Sequence, residues 1–217
     1  MENHVITSNM KQSIFRIIMN KLRRTPVDRV NVLAAKMRKN GEEMCLWKNI
    51  PLAKECMKLL PVIDDSEASP MEKAFACSAI LGMLPEYDVP RLVLTILRFQ
   101  LEQVHRSTEP VEEDDPTEED IQSHIERLED YINTDHMTAD AFNEKYDRWM
   151  KRDPIERNEW WEQNYYEVEQ ECDRRLEDMP RGMGSCYAYW SCMTEVLAER
   201  GIEWRSPSRM NPRVHFD

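Results

Sequence analysis

Glycine is what this chain uses least, with five among 217 residues. Sandwiches and barrels put glycine into most of their tight turns, so this scarcity excludes them and points to helices. No apolar run approaches the ~18 residues of a membrane span, so no transmembrane helix is expected. The opening stretch MENHVITSNMKQSIF has neither an uninterrupted apolar core nor a small-residue cleavage site, so no secretory leader is expected either. The six cysteines, at 45, 56, 77, 172, 186 and 192, form no Cys-x-x-Cys pair. That usage fits a reduced, cytoplasmic protein rather than a disulfide framework or zinc finger. The phosphate-cradling glycine loops, the His-Glu-x-x-His metal signature and the serine-hydrolase elbow are all missing. The single Glu-x-x-His, EQVH at 102–105, is half of what a di-metal bundle needs. The expectation is therefore no cofactor and no metal.

What the chain does have is a globular balance, 41% apolar and 32% charged. Its net charge of −12 is unevenly distributed. Residues 1–106 carry 16 Lys/Arg against 12 Asp/Glu, while residues 107–217 carry 13 against 29. The first 40 residues alone hold 9 bases and 2 acids.

One punctuation mark recurs: Ser, Thr or Asp, then Pro, then any residue, then an acid. It occurs as TPVD at 25–28, SPME at 69–72, DPTE at 115–118 and DPIE at 153–156. Each reads as a helix start. The first residue caps free N–H groups, proline gives up a hydrogen bond that was absent anyway, and the acid reaches back toward the cap. With apolar spacing, these marks predict about nine helices: 9–24, 26–40, 51–60, 70–84, 89–105, 116–133, 138–151, 153–178 and 185–200. The fold class expected is all-α, a bundle-like array. Helices 70–84 and 89–105 are apolar on most faces and belong at its centre.

The stretch 107–116 opens an acidic run of eight carboxylates and no base between Glu109 and Asp120. It reads either as a linker between two helical subdomains, 1–106 and 117–217, or as a solvated loop within one domain. The tail EWRSPSRMNPRVHFD is expected to be extended, interrupted by Pro207 and Pro212, with Trp204, Met210, Val214 and Phe216 lying across the helices.

The sequence GSCYAY, at 184–189, resembles the nucleophile motif of papain-like cysteine proteases, where Gly-Ser-Cys leads into an aromatic and a helix. The resemblance covers these six residues and implies that Cys186 is a nucleophile in a thiol-dependent hydrolase. A thiol at a helix N-terminus meets free N–H groups that favour its thiolate. Its histidine would have to come from His105, His124 or His136 upstream, or from His215. The competing reading places Cys186 with Tyr189, Trp190, Met193 and Leu197 on one helical face, as a small core residue capped into its helix by Ser185.

Two further surfaces stand out. Arg23, Arg24, Lys36, Arg38 and Lys39, with their neighbours on the first two helices, could meet nucleic-acid phosphates. Trp160 and Tyr166 lie off the main stripe of the long helix Trp161, Tyr165, Val168, Cys172, Leu176, Met179, and so could anchor a partner. The reading favoured by the residues is an intracellular helical module for protein–protein interaction or self-association, without catalytic activity.

Overall fold

A computed structural model describes residues 25–110, 115–179 and 184–216. The expected helix at 9–24 lies outside the described residues, as do Arg23 and Arg24. Among the described residues there are nine α-helices and no strand. We number the helices α1 (Pro26–Glu42), α2 (Ile50–Leu59), α3 (Pro70–Leu81), α4 (Pro90–Arg106), α5 (Glu118–Ile132), α6 (Ala139–Lys145), α7 (Glu159–Arg175), α8 (Ser185–Glu199) and α9 (Pro207–Met210). Short 3₁₀ turns occupy Leu46–Asn49, Leu60–Val62 and Pro154–Arg157.

Two of the four punctuation marks work as read. Thr25 and Asp28 form a reciprocal capping box at α1, and Ser69 and Glu72 form one at α3. The other two shift. In DPTE the cap moves on to Thr117, whose hydroxyl accepts from the Asp120 N–H. In DPIE, Asp153 starts only a 3₁₀ turn, and the long helix begins after Asn158, whose side chain accepts from the Trp161 N–H. The helix expected at 138–151 stops at Lys145, because Asp147 takes a left-handed φ of 48°. Trp149, beyond this early stop, is 71% exposed. At the far end of α8 the helix ends on a glycine stop. Gly201 has a φ of 76°, and the Ile202 N–H bonds back to the Leu197 carbonyl at 3.0 Å.

α3 lies along α4, α4 along α5, α1 against α2, and α7 against α8. α4 is the central helix, with Val93, Leu94, Ile96 and Leu97 all buried. α3 is less enclosed than its composition suggests, since Phe75 is exposed. One buried apolar cluster contains Val30, Leu97, Leu128, Val168 and Trp204, so the core joins helices from both sides of 107–116.

Two helix ends are completed from far away in sequence. Val89, at the start of α4, contributes no side-chain cap. Glu162 of α7 does so instead, accepting from the Leu92 N–H at 2.9 Å and the Arg91 N–H at 3.1 Å. At the end of α5, buried Arg157 donates to the carbonyls of Tyr131 and Met137, each at 2.7 Å, and Asp130 at 3.1 Å. An acid at a helix start and a cation at a helix end both oppose the backbone dipole.

The tail does lie across the helices, but Pro207 begins the short helix α9 rather than preventing one, with Ser206 as its cap. Trp204 is buried against Trp161, with ring centroids 6.2 Å apart. Its indole N–H donates to Glu156 at 2.7 Å. Arg152 bridges Glu156 and Asp88, and the Trp161 indole donates to Asp88 at 3.0 Å. Asn211 both accepts from the Lys151 N–H and donates to the Lys151 carbonyl, at 2.8 Å each. No described helix is long and apolar enough to cross a membrane.

Candidate functional site

The C-terminal half of α7, the first turn of α8 and the turn after α1 enclose a cavity of about 570 Å³. That size falls in the range of small-ligand pockets. Each wall follows from local sequence. α7 carries the predicted stripe, which buries Trp161, Tyr165, Val168 and Cys172 and turns Glu169 inward beside them. α8 starts at Gly184, whose φ of 79° is open to glycine and strained for other residues. This conformation replaces the expected serine cap: Ser185 is the first helical residue and makes no capping bond. The third wall forms where α1 runs through Gly41 to Glu42 and the chain reverses at Met44, which holds a left-handed φ of 58°. That reversal buries Trp47 and leaves Met44 84% and Leu46 36% exposed at the cavity's edge.

The lining is apolar and aromatic apart from two acids, Glu169 and Asp173, and among the described residues it contains no lysine, arginine or histidine. Asp173 is paired with Lys48 at 3.1 Å, and the same ammonium lies 5.0 Å from the Trp47 ring centre. Glu169 is buried and accepts a hydrogen bond from the Tyr189 hydroxyl, with the Tyr165 phenol beside it. Burial pushes its carboxyl up to about 7. The two tyrosines oppose that rise, and the charges of Asp88 and Asp173 add to it. Burial also pushes both phenols well above their usual range. On the far side of Glu169, Tyr165 and Tyr189 lies a smaller cavity of about 250 Å³, bordered by Asp88, Arg152 and Glu156.

Cys186 lies in the wall of the larger cavity, half-buried, one residue into α8. It is therefore not the core thiol that its helical face suggested. That place is taken by Cys192, which is buried beside Cys172. None of the histidines considered for Cys186 lines its cavity: His105 sits 3.1 Å from Glu118, His124 sits 3.1 Å from Glu86, and His136 and His215 are exposed. All six cysteines are free thiols. Among the described residues, no three histidine, cysteine or acidic side chains converge to hold a metal ion.

The other candidate residues are dispersed. Tyr166 is half-buried and packs edge-on against Trp47, with ring centroids 5.4 Å apart. Trp160 is half-buried against the core. Lys36, Arg38 and Lys39 are exposed on α1, with Lys39 3.7 Å from Glu43. Glu169, Trp47, Met44 and Leu46 were not anticipated. A signal for Glu169 was available: it follows Tyr165 by four residues, which places an acid on the buried face of its helix. Trp47 and its neighbours carried none, because they lie in an irregular turn. No known family model, curated protein or solved structure matches this chain.

Proposed function

We propose that this chain is a helical binding module, without catalytic activity of its own, that takes a largely apolar side chain of a protein partner into the cavity between α7, α8 and the 44–47 turn. The observation that carries this reading is the exposed apolar edge formed by Met44 and Leu46 beside a cavity of about 570 Å³. Apolar side chains projecting at the mouth of a concave site are the usual composition of a docking surface. A hydrolytic reading of Cys186 needs a base within hydrogen-bond reach, and among the described residues no histidine lines this cavity.

The test compares wild-type protein with Met44→Asp/Leu46→Asp in affinity purification from the native cell. The variant should keep its circular dichroism and lose a partner that the wild type captures. If both capture the same proteins, or if wild type captures none, the proposal fails. Sedimentation of the purified chain distinguishes a second copy from a different protein as the occupant.

A further inference from the structure

We infer that the cavity walled by Trp47, Tyr165, Tyr189 and Glu169 receives the ammonium-bearing side chain of a lysine from the protein partner. This rests on the binding role proposed above and specifies its chemistry.

Three features of the cavity lead there. Its walls are aromatic rings, thiols and methionines, which suit a four-carbon stem. Ring faces also attract a cation at the end of that stem. A carboxyl, Glu169, is set into the wall, where the Tyr189 phenol donates to it and the Tyr165 phenol lies beside it. Phenols do not neutralise a carboxylate, so Glu169 is an acid without a cation in a cavity whose described lining supplies none. The chain itself shows how such a site is filled. At the edge of the cavity Lys48 rests on the Trp47 ring and pairs with Asp173. A second ammonium, brought by the partner, would give Glu169 the equivalent arrangement.

The pairing has a pH signature. The groups facing Glu169 are Tyr165, Cys172 and Asp173 from its own helix, Tyr189 from α8, and Asp88 from the turn before α4. Asp173 is paired with Lys48, and Asp88 is held by Arg152 and the Trp161 indole. The incoming ammonium therefore meets a carboxyl that is held partly protonated near neutrality and must lose its proton to pair. Between pH 6 and pH 8 the ionised fraction of a group with pKa about 7 rises about tenfold, and affinity should rise with it.

The experiment uses the full chain and three probes: Nα-acetyl-lysine methylamide, the same amide of norleucine, and n-butylammonium. Binding is read from the NMR shifts of the Met44 methyl and the Trp47 indole N–H. The lysine amide should shift both saturably, at least tenfold more tightly than the norleucine amide, and more tightly at pH 8 than at pH 6. Glu169→Gln should abolish that preference and its pH dependence while the remaining spectrum stays that of the folded protein. Equal binding of lysine and norleucine amides overturns the inference but leaves an apolar docking site. So does a lysine preference that survives in Glu169→Gln. Tighter binding of n-butylammonium than of the lysine amide makes the occupant a free amine and overturns the partner assignment. Absence of any shift overturns the inference outright, while the edge variants test the docking role independently.

Discussion

Glu169 occupies a place where a charge is costly. Its carboxyl titrates near 7 in the folded chain, against the ordinary value of 4.5. Below the unfolded value both states are neutral and the group contributes no penalty. As pH rises toward 7 the unfolded chain ionises first, so stability falls across that window and levels off above it. The shift corresponds to roughly 3 kcal/mol lost between pH 4.5 and pH 8. Urea denaturation of wild type and Glu169→Gln at several pH values should show the decline in wild type and a flatter profile in the variant. Met44 gives a second prediction. A left-handed φ costs a side chain about 1 kcal/mol, so Met44→Gly should raise the denaturation midpoint modestly, although it removes the exposed thioether from the cavity edge. These two residues also mark the limits of what the sequence showed. The buried stripe on α7 was plain from its spacing, and the acid beside it was readable from the same spacing. The side-chain exposure of Cys186 was not, since a helical face shared with core residues extends one turn too far when the helix start lies at the domain surface.

Helix boundaries depend on which capping group acts first, and several candidates compete at each start. Thr25 and Ser69 were identified correctly because the reciprocal acid stands three residues on and no better cap follows. Asp115 and Asp153 lost to Thr117 and Asn158, each offering an accepting side chain a few residues later. Asn158→Ala should therefore destabilise the chain by about 1 kcal/mol in thermal or urea unfolding, while it leaves the Pro154–Arg157 turn capped by Asp153. Arg157 is a more demanding case. It serves two carbonyls at the end of α5 and that of Met137 in the turn beyond from a buried position, so Arg157→Met should cost about 3 kcal/mol by leaving acceptors without donors. No local pattern announces such a cap, because donor and acceptors are separated by 20 to 27 residues.

Across the whole molecule, the charge imbalance between the halves becomes contact. Lys48 meets Asp173, Arg98 meets Glu129 at 2.8 Å, and Arg91 meets Glu162 at 3.3 Å, so bases from the first half face acids from the second. The sequence exposed the imbalance but not the partners, which are brought together by the packing of α4 against α5, of the 46–49 turn against α7, and by Glu162 at the first turn of α4. Most such pairs are exposed and contribute little each. Glu162 differs because it binds backbone N–H groups as well as a guanidinium. Glu162→Ala should lower stability by about 1–2 kcal/mol, read as a shift in denaturation midpoint at constant slope. Its position also orders events during synthesis. Leu92 leaves the ribosome 70 residues before the carboxylate that completes its turn. The central helix is thus made early and finished late, by the same helix that carries Glu169. A nascent chain ending before α7 has neither a closed α4 nor a binding cavity, and one that completes the first acquires a wall of the second in the same event.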